Sequence, residues 1–180
     1  MLDARSLLLQ LPESARDGEA EKSLELIRMM LSHSAAPFSR SQFAPGHITA
    51  TGLVIHPASP AVLLVHHRRL NRWLLPGGHV DDEDQSIFAA AAREVTEETS
   101  VRLSDCAAFL INFDVHGIPG NLKEPYHLHH DIVVAFRAAS ADIVTSEESH
   151  AVAWCGWDEQ DRYQLPANVR RGFRLALETS

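Results

Sequence analysis

At 180 residues, with 45% hydrophobic and 22% charged residues, the chain has the makings of one domain with its own core. Its net charge of −8 argues against sequence-independent nucleic-acid binding, which depends on Lys and Arg neutralising phosphates. Cys106 and Cys155 form neither a CxxC pair nor a disulfide framework, and read as reduced thiols of a cytoplasmic protein.

The first apolar run, Leu7-Leu8-Leu9, is too short for a secretory signal. No segment approaches the roughly 20 apolar residues of a membrane span. Residues 2–11 predict a short amphipathic helix, ended by Pro12. A second helix is expected over about 19–33, with Leu24, Ile27 and Leu31 on one face and Met30 beside them. Two such helices have too little core to stand alone. Residues 1–44 are therefore expected to be a helical extension packed on a main domain of residues 45–180. The same helices offer a surface for a homodimer.

Residues 48–55 and 61–66 flank a His56–Pro60 turn and predict a β-hairpin. Residues 73–75 form a short strand entering the Pro76-Gly77-Gly78 turn. After an acidic loop (Asp81, Asp82, Glu83, Asp84), a helix is expected over about 86–99, favoured by the Ala89–Ala92 run. Phe88, Ala92, Val95 and Thr99 at i, i+4, i+7 and i+11 predict its buried stripe. Strands follow over 107–115, 131–137 and 152–156, with a loop over 117–124 and a final helix over 168–178. This alternation predicts an α/β fold with helices covering a mixed sheet.

Glu94, Glu97 and Glu98 stand at i, i+3 and i+4, on one flank of the predicted helix. Like charges at that spacing oppose a helix by roughly 0.2–0.5 kcal/mol per pair. A divalent metal held through oxygens offsets them economically. The plain alternative is a solvated helix face with Arg93 and Glu97 as a surface ion pair. The Gly-Gly turn just before the helix favours the metal.

The block from Gly78 to Val101 resembles the signature of the Nudix hydrolases. That signature reads Gly, five residues, Glu, seven residues, then Arg-Glu-aliphatic-x-Glu-Glu-x-Gly-aliphatic. Arg93-Glu94-Val95-x-Glu97-Glu98-x-Ser100-Val101 matches its second half except at the Gly, and Trp73-x-Leu-Pro-Gly-Gly-His resembles the usual entry. One extra residue separates Gly78 from Arg93. Counting forward puts Asp84 at the first Glu, and counting back puts Gln85 there; the extra residue is expected to loop out and leave Asp84 near the helix N-terminus. With Ser100 in place of Gly, the helix is expected to end without a left-handed cap, which costs a non-Gly residue roughly 1–2 kcal/mol.

The resemblance implies a Nudix-like α/β/α sandwich and hydrolysis of a diphosphate bond in a nucleoside diphosphate joined to another group. It implies Mg2+, with Mn2+ as a substitute. Carried over by position, Glu94, Glu97 and Glu98 are the metal ligands, the Gly78 carbonyl is an additional one, and Arg93 orients the carboxylates. Glu97 and Glu98 are also candidates to activate water. Family members often take a general base from a loop outside the motif, and Glu147 and Glu148 are the candidates here.

Around this motif, Arg68 and Arg69 are candidate phosphate binders, against a basic surface loop. Gly77 lets backbone approach the phosphates, and His79 borders the same surface. His127, His129 and Asp131 alternate along one strand and project to one side, lining the substrate cleft or holding a transition metal. Tyr126, beside Pro125, is the candidate aromatic contact, whereas Trp73 and Trp154 are expected to be structural. Two rival functions stand: a silent nucleotide-binding or regulatory module, and a hydrolase using a His127/His129/Asp131 zinc or iron site.

Overall fold

The computed structural model describes residues 2–147 and 149–179. Helices α1 (Ala4–Gln10) and α2 (Gly18–His33) precede strands β1 (His47–Ile55), β2 (Ala61–His67), β3 (Arg72–Leu74) and β4 (Gly77–His79). Helix α3 (Ile87–Thr99) leads to β5 (Phe109–Ile118), β6 (His127–Arg137) and β7 (Ser149–Gly156), and α4 (Ala167–Glu178) closes the fold. The mixed sheet runs β3-β2-β1-β6-β5, with β4 on β1 and β7 on β2. Helices cover both faces, giving the expected α/β/α architecture.

Three helices start on side-chain caps. Asp3 accepts from the Ser6 amide, Asp17 from Glu19 and Ala20, and Ser86 from Ala89. Such caps are worth about 1 kcal/mol each. Helices α1 and α2 share one apolar cluster with β1 and α3, in which Leu7, Leu24 and Ile27 meet Ile48, Ile87 and Ile132. On the other face, α4 buries Val169 and Phe173 against Leu53, Val62 and Val133. Complete burial of a side chain such as Phe173 is worth roughly 1.5–3 kcal/mol.

Several local expectations are corrected. The predicted hairpin is present, but its ladder is short, with Ile55 opposite Val62; beyond that pair β2 pairs with β3 and β7, while β1 pairs in parallel with β6 along its whole length. Gly77, Gly78 and His79 are a short strand antiparallel to Thr49–Thr51 rather than only a turn. β6 begins at His127, four residues earlier than predicted, because its polar start is paired with β1 and β5. Val95 and Thr99 of the predicted stripe are buried in α3, but its first half is Ile87, Ala90 and Ala91 in place of Phe88 and Ala92. The alanine run allows either phase, and Ile87 settles it by entering the α1–α2 cluster. Finally, α3 does end in a left-handed cap: Ser100 sits at φ 51°, and its amide donates to the Thr96 carbonyl at 2.9 Å.

Candidate active site

The cleft forms where α3 crosses the β4 end of β1. Its volume is about 470 Å3, and Glu94, Glu97 and Glu98 line it together with Gly77, Gly78, His79, Thr49 and Thr51. The three glutamates differ in environment. Glu98 is 5% exposed and accepts the Gly77 amide at 2.9 Å. Glu94 is half-buried beside Gly78, and Glu97 reaches solvent with 59% of its side chain exposed. Burial raises the Glu94 carboxyl above its usual range, against the opposing pull of Arg93.

Arg93 organises these carboxylates. Its Nη2 donates to Asp84 Oδ2 and to the His79 carbonyl, both at 2.9 Å, while Nη1 donates to Glu94 at 3.1 Å and Glu97 at 3.2 Å. A planar five-donor group suits this fork, which a lysine could not reproduce. Asp84 is buried, yet its carboxyl lies below the usual range. Burial, the largest influence, raises it, and the Arg93 hydrogen bond, the Asp81 amide and the Arg93 charge together outweigh that rise. The Asp84 hydrogen bond in turn raises the Arg93 pKa, despite partial burial.

The opposite wall is sheet. Asp131 on β6 accepts hydrogen bonds from the hydroxyls of Thr49 (2.9 Å) and Thr51 (2.8 Å), and burial pushes its carboxyl up. On β5, His116 hydrogen-bonds Asp114 at 2.9 Å, which raises the imidazole pKa. Asn168 donates to the same Asp114, and Arg171 donates to Asn112 at 3.0 Å, so the start of α4 is pinned to this wall.

The donor set fits a hard divalent cation. Three carboxylates converge beside a backbone with no side chain: a Cβ on Gly78 would stand 2.7 Å from Glu94 Oε1. Oxygen donors of this kind suit magnesium or manganese.

The model of the NUDIX domain matches residues 46–175, well over half of the chain. The chain belongs to the Nudix family. This is a family of hydrolases that generally use divalent metals. No curated protein sequence matches the chain. Among solved structures it is similar to a C. elegans Ap4A hydrolase in a binary complex, at 17% identity and TM-score 0.53, covering 73% of this chain and 96% of that one. It is also similar to a Nudix hydrolase from M. smegmatis, RenU, at 21% identity and TM-score 0.52, covering 74% and 84%. A NUDIX hydrolase from Nitrosomonas europaea aligns at 18% identity and TM-score 0.53, covering 73% and 88%. At these identities the likeness is one of fold.

Within the Nudix motif, Asp84 lies in the loop before α3 and holds Arg93 from there. Of the other candidates, Arg69, His79, His129 and Asp131 line the cleft. Arg68 donates instead to the Ser149 carbonyl at 3.1 Å. Tyr126 is 64% exposed, with its ring over Gly117, and is not part of the cleft wall. Glu147 is exposed and also absent from that wall, and Glu148 lies outside the described residues. Trp73 packs edge-on against Tyr163, and Trp154 edge-on against His56, as structural residues would.

His127 and His129 do project together, but the group they form contains His47 rather than Asp131. Sequence reasoning missed His47. A single histidine opening a strand carries no local signal, and only the parallel β1–β6 register, which sets His47 opposite His129, brings it into place.

Proposed function

We propose that this Nudix protein hydrolyses a diphosphate bond in a nucleoside diphosphate linked to another moiety. The metal is magnesium, or manganese in its place, held by Glu94, Glu97, Glu98 and the Gly78 carbonyl. The observation carrying this reading is the carboxylate cradle that Arg93 organises against the bare Gly77-Gly78 backbone.

When bound, the metal supplies positive charge that neutralises the diphosphate oxygens and acidifies the attacking water. The chain's residues do the rest. Arg93 fixes the rotamers of Glu94 and Glu97, and the Gly77 amide fixes Glu98, so the ligands are set before substrate arrives. Glu97, the most exposed of the three, is the carboxylate best placed to take a proton from water entering the cleft. Arg69 adds a cation to the cleft rim for a substrate phosphate. The sheet wall with His79, His129 and Asp131 contacts the remainder of the substrate.

The family match beginning at residue 46 supports 45–180 as the hydrolase domain and 1–44 as its helical extension. Two free thiols, one of them exposed, support a reducing compartment such as the cytoplasm. Among the described residues, no helix is long and apolar enough to cross a membrane.

The test is magnesium-dependent turnover over ADP-ribose-like compounds, dinucleoside polyphosphates, nucleotide sugars and nucleoside triphosphates, with phosphorus NMR to identify the broken bond. Turnover of one class, abolished by chelation and by Glu97→Gln, supports the reading. A folded protein that binds these compounds and turns none over with magnesium or manganese is instead a nucleotide-binding module. Glu147→Gln run alongside asks whether the base comes from outside the cleft.

A further inference from the structure

Four neighbouring strands present histidines to one corner of the cleft. His79 lies on β4, His47 on β1, His127 and His129 on β6, and His116 on β5. The ring of His47 is 5.0 Å from that of His79, 5.0 Å from His127 and 4.9 Å from His129, and His116 approaches His129 at 5.7 Å. Imidazoles packed so closely cannot all be charged. Neutral imidazole is the form that binds metal.

The ring orientations are more specific. The Gln42 carbonyl can only accept, so His47 Nδ1 carries the proton in their 3.2 Å hydrogen bond, and the lone pair lies on Nε2. That Nε2 is buried and has no partner in the protein, in a residue that is 0% exposed. The Pro125 carbonyl fixes His127 in the same way at 2.9 Å, leaving its Nε2 as the donor atom. A backbone carbonyl on the far nitrogen is the usual support for a metal-ligating histidine. His127 Nε2 and His129 Nε2 lie 3.3 Å apart. Two nitrogens about 2.0–2.1 Å from a tetrahedral zinc are separated by about that distance. One ring nitrogen from each of His47, His127 and His129 lies within 4.8 Å of the others.

We propose that His47, His127 and His129 form a second metal site, for a borderline divalent cation such as Zn2+, with its fourth position opening towards His79 and the cleft. Its three nitrogen donors distinguish it from the oxygen site on α3, which suits magnesium. The ion would join the segment around Gln42, through His47, to the start of β6, beside the strands' backbone pairing. The site stands whether or not the chain hydrolyses nucleotides.

The test is a cobalt titration of the metal-stripped full-length protein, read by the intense visible absorption of four-coordinate Co2+ and followed by displacement with Zn2+. Glu94→Gln/Glu97→Gln/Glu98→Gln is compared with His129→Ala and His47→Asn, with circular dichroism to verify folding. His129 is half-buried, so its alanine variant keeps the comparison usable if His47→Asn fails to fold. The expected result is a four-coordinate band that saturates at one Co2+ per chain in the wild type and in the glutamate variant, with affinity at least a hundredfold weaker in folded His129→Ala. Zn2+ should raise the Tm of the first two and leave His129→Ala unchanged. No cobalt band in the wild type, a band retained in His129→Ala, or a band lost with the glutamates in a folded protein would overturn the proposal.

Discussion

The Gly77 amide donates to Glu98 Oε2 at 2.9 Å, while the neighbouring Gly78 leaves room for Glu94. The two glycines therefore protect different things. A Cβ on Gly77 would stand 2.7 Å from Thr51 Cα and 2.8 Å from the Ala50 carbonyl oxygen, which are backbone and cannot yield cheaply. Gly77→Ala should lower stability by about 1–3 kcal/mol. A Cβ on Gly78 meets first the tip of Glu94, which can rotate. Gly78→Ala should leave Tm nearly unchanged and raise the magnesium concentration for half-maximal activity about tenfold or more. Thermal melts and metal titrations of the two variants should thus separate; equal loss of Tm in both would refute the distinction.

Asp84 carries a linkage with a definite sign. Its carboxyl is depressed in the fold by the Arg93 and Asp81 contacts, which outweigh burial. A depressed carboxylate contributes stability above its unfolded pKa of about 3.9 and loses it as pH falls through the folded value. Asp84→Asn should therefore cost about 1–3 kcal/mol at neutral pH, the worth of a charged hydrogen bond. The gap from wild type should close below about pH 4. Urea unfolding at pH 7 and pH 3 would measure it.

Ser100 holds a left-handed conformation at φ 51° with an exposed side chain. Ser100→Gly removes that steric cost and should stabilise the protein by about 1 kcal/mol, read as a higher Tm. A lower Tm would mean that the loss of chain stiffness outweighs the relief.

The thiols should label in sequence. Cys106 is exposed, whereas burial, followed by Glu159, pushes Cys155 up to about 11. Iodoacetamide at neutral pH should modify one cysteine in the native protein and two in denaturant, countable by mass spectrometry.

The acidic helix was legible because its chemistry is local. Arg93, Glu94, Glu97 and Glu98 sit within two turns, and Ser86 marks the start of the helix. Asp84 was legible as a carboxylate near that start, but its bond to Arg93 depends on the loop path. The phase of α3 was hidden by its alanines, which fit either side of an apolar stripe. The cap at Ser100 was missed because the cost of a left-handed serine is small beside the burial of Val101 and Thr99 that it permits. The strand at Gly77–His79 and the role of His47 were not legible at all. Both arise from pairing with β1, and no propensity of three residues or of one histidine announces such a partner.

β1 divides its residues between two tasks. Ile48, Ala50 and Val54 join apolar clusters with α3, and a Cβ on Gly52 would collide with Val95. His47, Thr49 and Thr51 alternate with them and belong to the histidine corner and the Asp131 wall. A saturation-mutagenesis library across 48–52, scored separately for cellular abundance and for turnover, should therefore alternate between two kinds of failure. Even-numbered positions should lose abundance, while 49 and 51, whose hydroxyls hold Asp131 in the cleft wall, should lose turnover from protein that still accumulates. A one-codon deletion within this strand would exchange the two sets and defeat both scores together.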